Sequence, residues 1–208
     1  MTRVGVLVSG GGTNLQALID GVVGGTLRRC EIAVVVSSRP DAFALERAAA
    51  AGLPAVCVDR KACASPDEFD ERLLAALSAF GVDLVVTAGF IPILGRAVVA
   101  EYKDRVINVH PALIPSFCGK GFYGLEPHRR ALELGVRVTG ATTHFVTAEV
   151  DAGPIILQRA VDVLPGDTPE ILQRRVMSEA EWPLITRSVR LYSEGRLRVE
   201  GRKVVIIG

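Results

Sequence analysis

The stretch Val4-Gly5-Val6-Leu7-Val8-Ser9-Gly10-Gly11-Gly12-Thr13-Asn14-Leu15 decides the fold. A β-branched apolar run that stops at a glycine cluster reads as a buried strand entering a tight turn. Leu15, Leu18, Ile19, Val22 and Val23 then follow helical spacing. Strand, glycine turn and helix in direct succession open a β-α-β unit. Outward from there, strand-like runs recur at 32–36, 55–58, 84–86 and 106–109. Ser65-Pro66-Asp67-Glu68 marks a helix start, with Ser65 as N-cap, Pro66 at the first helical position and Glu68 closing a capping box. Phe69, Leu73, Leu77 and Phe80 form the buried face of that helix. The alternation predicts an α/β fold, a Rossmann-like, mostly parallel twisted sheet flanked by helices.

Beyond His110 the pattern changes. Residues 116–124 form a loop without periodicity, and a helix is expected near 127–134. Two strands, 138–146 and 155–163, are joined by a Gly/Asp-containing connection. Thr168-Pro169 opens another helix, and Val199-Glu200-Gly201-Arg202-Lys203-Val204 reads as a closing hairpin. The C-terminal portion of the sheet is therefore expected to be antiparallel. No repeat or interdomain linker interrupts the chain, so one domain over 1–208 is expected.

Composition excludes several classes. The net charge of +1 provides no electrostatic footprint for nucleic acid or an anionic membrane. No apolar run reaches spanning length. Met1-Thr2-Arg3 leads straight into the first strand, so no signal peptide and a cytoplasmic location are expected. Cys30, Cys57, Cys63 and Cys118 form no C-x-x-C pair, so zinc and redox motifs lack support and free thiols are expected.

Two stretches carry chemistry. In the Ser9 to Asn14 turn, glycines allow close approach of an anion, and the N–H groups at the helix start can hold a phosphate. A P-loop would need a lysine at its end. A dinucleotide fingerprint would need glycine in place of Leu15 and an acidic residue after the second strand, where Ser37-Ser38-Arg39 stands. A plain glycine turn is the competing reading. In Ile107-Asn108-Val109-His110-Pro111, alternate residues of an extended chain point the same way, so Asn108 and His110 can face one reacting group. A carboxamide donor and a titratable base suit a reaction passing through an oxyanion. A buried carboxylate, Asp151 in Val150-Asp151-Ala152-Gly153-Pro154, would complete the set by raising the imidazole pKa. A polar strand end and a turn aspartate are the bland alternatives.

Taken together, these residues resemble the folate-dependent formyltransferases, and within them the branch that formylates glycinamide ribonucleotide in purine synthesis. The resemblance runs nearly end to end. It is carried by the Ser9 to Asn14 loop, Ala88-Gly89-Phe90, Asn108-Val109-His110-Pro111-Ala112-Leu113-Ile114-Pro115, His144-Phe145-Val146-Thr147, Asp151-Ala152-Gly153-Pro154-Ile155-Ile156 and the segment from Glu194. The Ser116-Phe117-Cys118-Gly119-Lys120-Gly121 loop looks like a bacterial variant. The resemblance implies the formyltransferase fold and transfer of the formyl group of 10-formyltetrahydrofolate to the substrate amine, with no metal, because the folate amide is already activated. It implies small-molecule substrates, neither nucleic acid nor membrane as partner, and leaves room for a homodimer.

By the same resemblance, Asn108 and His110 hold the oxyanion, His110 moves a proton, and Asp151 favours the imidazolium. The substrate phosphate falls to Gly12, Thr13 and Asn14. The pterin falls to Ile91, Pro92, Ile93 and Leu94, to Thr147, Ala148, Glu149, Val150 and Asp151, and to Asn108. His144 stands behind the catalytic residues, or else is a satisfied core histidine. His128 is expected to cap or pack, and Cys118 to be inert. The chain departs from the family at Glu179-Ala180-Glu181-Trp182, where relatives carry a Glu-His pair. With Ser178 taken as a one-residue insertion, Glu181 is the substrate glutamate, and Glu179 is the alternative. Pro183 should then kink the helix. Formyltetrahydrofolate hydrolase and a non-catalytic phosphosugar-binding module are the rival readings.

Overall fold

The computed structural model describes residues 1–208 as two compact units, Met1–Ile107 and Asn108–Gly208. The first unit begins with β1 (Thr2–Val8), α1 (Thr13–Val23), β2 (Cys30–Ser37), α2 (Phe43–Ala50) and β3 (Ala55–Cys57). A short 3-10 turn follows at Arg60–Ala62. Next come α3 (Pro66–Ala79), β4 (Leu84–Thr87), α4 (Arg96–Glu101) and the start of β5 (Val106–His110). β2 and β4 flank β1 in parallel, and β3 lies parallel to β2. Every expected strand of this half is present, within two residues at each end.

The order β3-β2-β1-β4 carries a consequence. The chain moves outward from β1 to β3, then returns through α3 to β4 on the other side of β1. Strand order thus reverses between β1 and β4. In open α/β sheets, ligands gather outside the carboxyl ends of the strands at such a reversal. The segments leaving those two strands are the Ser9 to Asn14 turn and the Ala88 to Leu94 stretch.

β1, β2 and β4 are buried on both faces, with Val4, Val6, Leu7, Val8, Val34, Val35, Leu84, Val85 and Val86 all sealed, whereas the short edge strand β3 is largely exposed. Continuous apolar runs, rather than alternating ones, follow from that. On α3, Phe69, Leu73 and Leu77 are buried as the spacing predicts, and Phe80 is half-buried. The Ser65 hydroxyl accepts from Glu68 N–H at 3.0 Å. The Glu68 carboxylate reaches one residue further than a capping box requires, accepting from Ala64 N–H at 2.6 Å. The Ala-rich α2 and the six-residue α4 have too little apolar contrast to be read from spacing.

In the second unit, β5 ends at His110, and α5 (Glu126–Glu133), β6 (Val138–Phe145) and β7 (Ile155–Asp162) follow. The chain closes with α6 (Pro169–Val176), a π-helical turn at Met177–Glu181, α7 (Trp182–Ser193) and the hairpin β8 (Leu197–Glu200) and β9 (Lys203–Ile206). β6 and β7 are antiparallel, as are β8 and β9, while β7 meets β9 in parallel at Ile155 and Lys203. Thr168 caps α6 by accepting from Ile171 N–H at 3.3 Å. A core of Ala131, Ala141, Val161, Leu172, Val176, Ala180 and Leu184 lies between these helices and strands. No helix is long and apolar enough to cross a membrane, and all four cysteines are free.

Pro183 does not break the C-terminal helix. The π turn widens the coil just before it, and Pro183 becomes the second residue of α7. There its missing N–H falls just past the π turn, where the helical hydrogen-bond ladder is already offset by one residue.

Two α3 substitutions should separate capping from packing. Ser65→Ala is expected to cost about 1 kcal/mol, and Leu73→Ala, wholly buried, roughly 2–5 kcal/mol. Urea unfolding read by far-UV circular dichroism checks both.

Candidate active site

Each unit holds its own group of candidate residues. In the first, the Ser9 to Asn14 turn is braced from behind by α2. Ala44 N–H donates to Gly10 O at 3.0 Å, and the Arg47 guanidinium donates to Gly11 O at 2.8 Å and to the Gln16 carboxamide at 3.0 Å. These bonds turn the loop carbonyls toward α2. Gly12, at φ 69°, closes the turn, and a β-carbon there would lie 2.7 Å from that of Ala44. Only glycine meets both conditions. Gly12 O accepts from Gln16 N–H at 2.9 Å, which opens α1 with Thr13 and Asn14 in its first turn. Arg47 is a cation at this loop that motif reading missed, because it comes from a different element some thirty residues away.

In the second unit, β5 presents Asn108 and His110, β6 presents His144, and the turn before β7 presents Asp151. The side chains meet. His144 Nε2 lies 3.1 Å from Asn108 Nδ2, and His144 Nδ1 lies 2.9 Å from Phe145 O. A carbonyl only accepts, so His144 carries its proton on Nδ1, leaving Nε2 to accept from the Asn108 amide. The carboxamide is thereby oriented by its nitrogen end. His144 is both buried and hydrogen-bonded into the group, which joins the two readings its sequence left open.

The Asp151 carboxylate sits between two imidazoles, with Oδ2 at 3.5 Å from His110 Nδ1 and Oδ1 at 3.6 Å from His144 Nε2. Gly119 N–H also donates to Oδ2 at 2.8 Å. Asp151 adopts a left-handed backbone at φ 53°. Two residues on, a β-carbon at Gly153 would come within 1.8 Å of Phe145 O, so the turn packs directly on the β6 backbone. The spacing D-x-G-P thus has a steric cause. Burial is the largest influence on Asp151 and pushes its pKa up. Contacts with His144, His110 and Gly119 N–H together outweigh it, and the group titrates below the usual carboxylate range.

His110 behaves differently from expectation. Asp151 does favour the charged ring, as does Phe117 O, 2.8 Å from Nε2. Burial is the larger effect, however, and the imidazole lies below its usual pKa. His110 is thus held neutral near neutrality, with its proton on Nε2 toward Phe117 O. Its Nδ1 lone pair faces Asp151, ready to take a proton that the carboxylate would stabilise. Phe117, itself at φ 49°, and Gly119 both come from the 116–124 loop. Their main-chain contacts leave no mark in a sequence.

Glu181, on the π turn, is buried at 6% exposure, whereas Glu179 is exposed. Thr147 is half-buried, and Ala148, Glu149 and Val150 are exposed. In the first unit Ile91 and Ile93 are exposed, Pro92 half-buried and Leu94 buried. The Cys118 thiol is pushed up by burial and by Asp151, the opposite of what a nucleophile needs. No cluster of three or more His, Cys, Asp or Glu is placed to hold a metal ion.

An oriented amide donor beside a neutral imidazole backed by a carboxylate is an arrangement whose chemistry suits transfer through a tetrahedral oxyanion. The chain belongs to the formyl transferase family, whose profile matches residues 2–188. It is 39% identical over 200 residues to phosphoribosylglycinamide formyltransferase of Escherichia coli, covering 93% of this chain and 88% of that one. It is 43% identical over 197 residues to the trifunctional purine biosynthetic protein adenosine-3 of Gallus gallus. There the match covers 95% of this chain but only 19% of the larger protein. The crystal structure of glycinamide ribonucleotide transformylase 1 from Symbiobacterium toebii superposes with a TM-score of 0.94 at 48% identity, over 100% of this chain and 95% of that one.

His128, at the start of α5, is fully buried, and neither ring nitrogen has a hydrogen-bond partner. Burial, with a smaller push from His110, lowers its pKa to about 4. An unfolded histidine titrates near 6.5, so the unfolded chain binds the proton more readily across that interval. Stability from the neutral ring is complete above about pH 6.5 and is lost as pH falls toward 4, by on the order of 3 kcal/mol. Unfolding free energies measured from pH 7 to 4 should show this decline, and His128→Leu should flatten it.

Proposed function

We propose that this chain transfers the formyl group of 10-formyltetrahydrofolate to the amine of N1-(5-phospho-D-ribosyl)glycinamide, in de novo purine synthesis. The observation that carries the reading is the hydrogen-bonded set Asn108, His110, His144 and Asp151 in a chain of this family. The likeness to full-length enzymes named for that reaction supports it.

The amine nitrogen attacks the formyl carbon, and the carbonyl oxygen becomes an oxyanion. The Asn108 amide, whose nitrogen end His144 orients, donates to it, and His110 stabilises it as the imidazolium formed when Nδ1 takes the amine proton. Each such donor is worth roughly 3–4 kcal/mol at a developing alkoxide. The attacking nitrogen must shed a proton and the folate N10 must gain one. His110 takes that proton at Nδ1 against Asp151 and returns it to N10 as the carbon–nitrogen bond breaks, giving tetrahydrofolate and the N-formyl product. A neutral resting imidazole is the form that can accept.

Around this step, the phosphate is assigned to Gly12, Thr13 and Asn14, and the buried Glu181 to the amine substrate. The pterin is assigned to Ile91, Pro92, Ile93 and Leu94, and to Thr147, Ala148, Glu149, Val150 and Asp151. Main-chain groups can do most of the pterin's recognition, which is compatible with the apolar side chains of Ile91 to Leu94. A homodimer is compatible with this scheme and plays no part in it.

Purified protein mixed with 10-formyltetrahydrofolate should release tetrahydrofolate only when the ribonucleotide is added. No turnover with both present sinks the reading, and turnover without the ribonucleotide makes the protein a hydrolase. His110→Ala should lower kcat by roughly 10²–10⁴ while circular dichroism and phosphate binding stay unchanged. Near-normal turnover in that variant would remove His110 from the mechanism.

A further inference from the structure

We infer that Ser9 and Asp70 are positioning residues that clamp the two ends of the 91–94 segment and so set the affinity for the folate. The inference rests on the formyl-transfer reading and adds residues assigned no part in it. Ser9 is 1% exposed. Its hydroxyl accepts from Ile91 N–H at 2.9 Å and lies 2.6 Å from the Ser38 hydroxyl. Its own N–H donates to Gly89 O at 3.1 Å. One buried serine at the end of β1 therefore fastens the turn that leaves β4. At the other end, Asp70 on α3 accepts from Gly95 N–H at 3.1 Å. A β-carbon at Gly95 would lie 1.9 Å from the Asp70 carboxylate, so the chain is pressed against it. Just before the segment, Phe90 stacks on Phe69 with ring centroids 6.3 Å apart, and Arg60 covers Phe69.

What lies between the two anchors is unlike the rest of the unit. Ile91 and Ile93 are 51% and 61% exposed, although both anchors are buried. Ile91 and Gly95 commit their N–H groups to the clamp, and Pro92 has none. The donors left in the segment are the N–H groups of Ile93 and Leu94. A short run of exposed backbone reads a flat heterocycle only if its few donors and acceptors are held at fixed angles. Ordering it on binding would cost backbone conformational entropy at every residue. A buried side-chain bond at each end meets that cost during folding.

Four variants test this by steady-state kinetics with both substrates varied. Ser9→Ala and Asp70→Ala should each raise KM for 10-formyltetrahydrofolate about tenfold, the worth of one hydrogen bond. kcat and KM for the ribonucleotide should stay within about twofold. Ser38→Ala leaves the Ser9–Ile91 bond in place, and Asp70→Asn keeps the acceptor for Gly95, so both should hold the folate KM near wild type. Amide hydrogen exchange at Ile91 and Gly95 should accelerate only in the alanine variants at Ser9 and Asp70. An unchanged folate KM in an active Ser9→Ala or Asp70→Ala enzyme overturns the clamp alone, as does an equal loss for both substrates. Absence of wild-type turnover overturns the underlying reading, and the clamp with it.

Discussion

A single buried carboxylate organises the second unit. Asp151 accepts from Gly119 N–H and has His110 Nδ1 and His144 Nε2 at 3.5 and 3.6 Å, two ring nitrogens that pair with it on protonation. Without them an ionised carboxylate at that depth would be expelled or neutralised. Each contact also constrains its partner. His144, held by Asp151 and Phe145 O, fixes the Asn108 amide. His110 is held in one ring orientation, and Gly119 draws the 116–124 loop over the pair. The left-handed turn at Asp151 and the close packing of Gly153 on β6 place the charge where all three can reach it.

Burial produces two opposed results in the same cluster. It weakens the charged form of His110 more than Asp151 strengthens it, while hydrogen bonds keep Asp151 ionised. Both groups therefore titrate below their usual ranges, His110 through desolvation and Asp151 through its partners. His128, with no partner for either nitrogen, shows desolvation without a carboxylate beside it, and its pKa falls to about 4.

Much of this was legible in the sequence, and for physical reasons. Two-sided burial of a parallel sheet writes continuous apolar runs, so β1, β2, β4 and β5 could be placed within two residues. Side-chain caps at Ser65 and Thr168 announced α3 and α6. Asn108 and His110 share a face because strands alternate, and Asp151 could be paired with them by resemblance. What stayed hidden depends on the main chain or on distant packing. The carbonyl of Phe117, the amide of Gly119 and the grip of α2 on the glycine turn involve groups every residue has. The net pKa of His110 depends on depth, which no spacing encodes. The switch point between β1 and β4 emerges only when strand order is known.

The π turn at Met177–Glu181 matters for angular phase. One extra residue in an α-helix rotates everything downstream by about 100°. Had the coil stayed regular, α7 would have turned its stripe of Leu184, Ile185, Val189 and Leu191 away from the core, or Glu181 would have swung out to solvent. The wide turn takes up the surplus locally. The faces upstream and downstream of it keep their bearings on the core they pack against. One wide turn thus lets Glu181 and the apolar stripe of α7 be buried together on a single continuous coil.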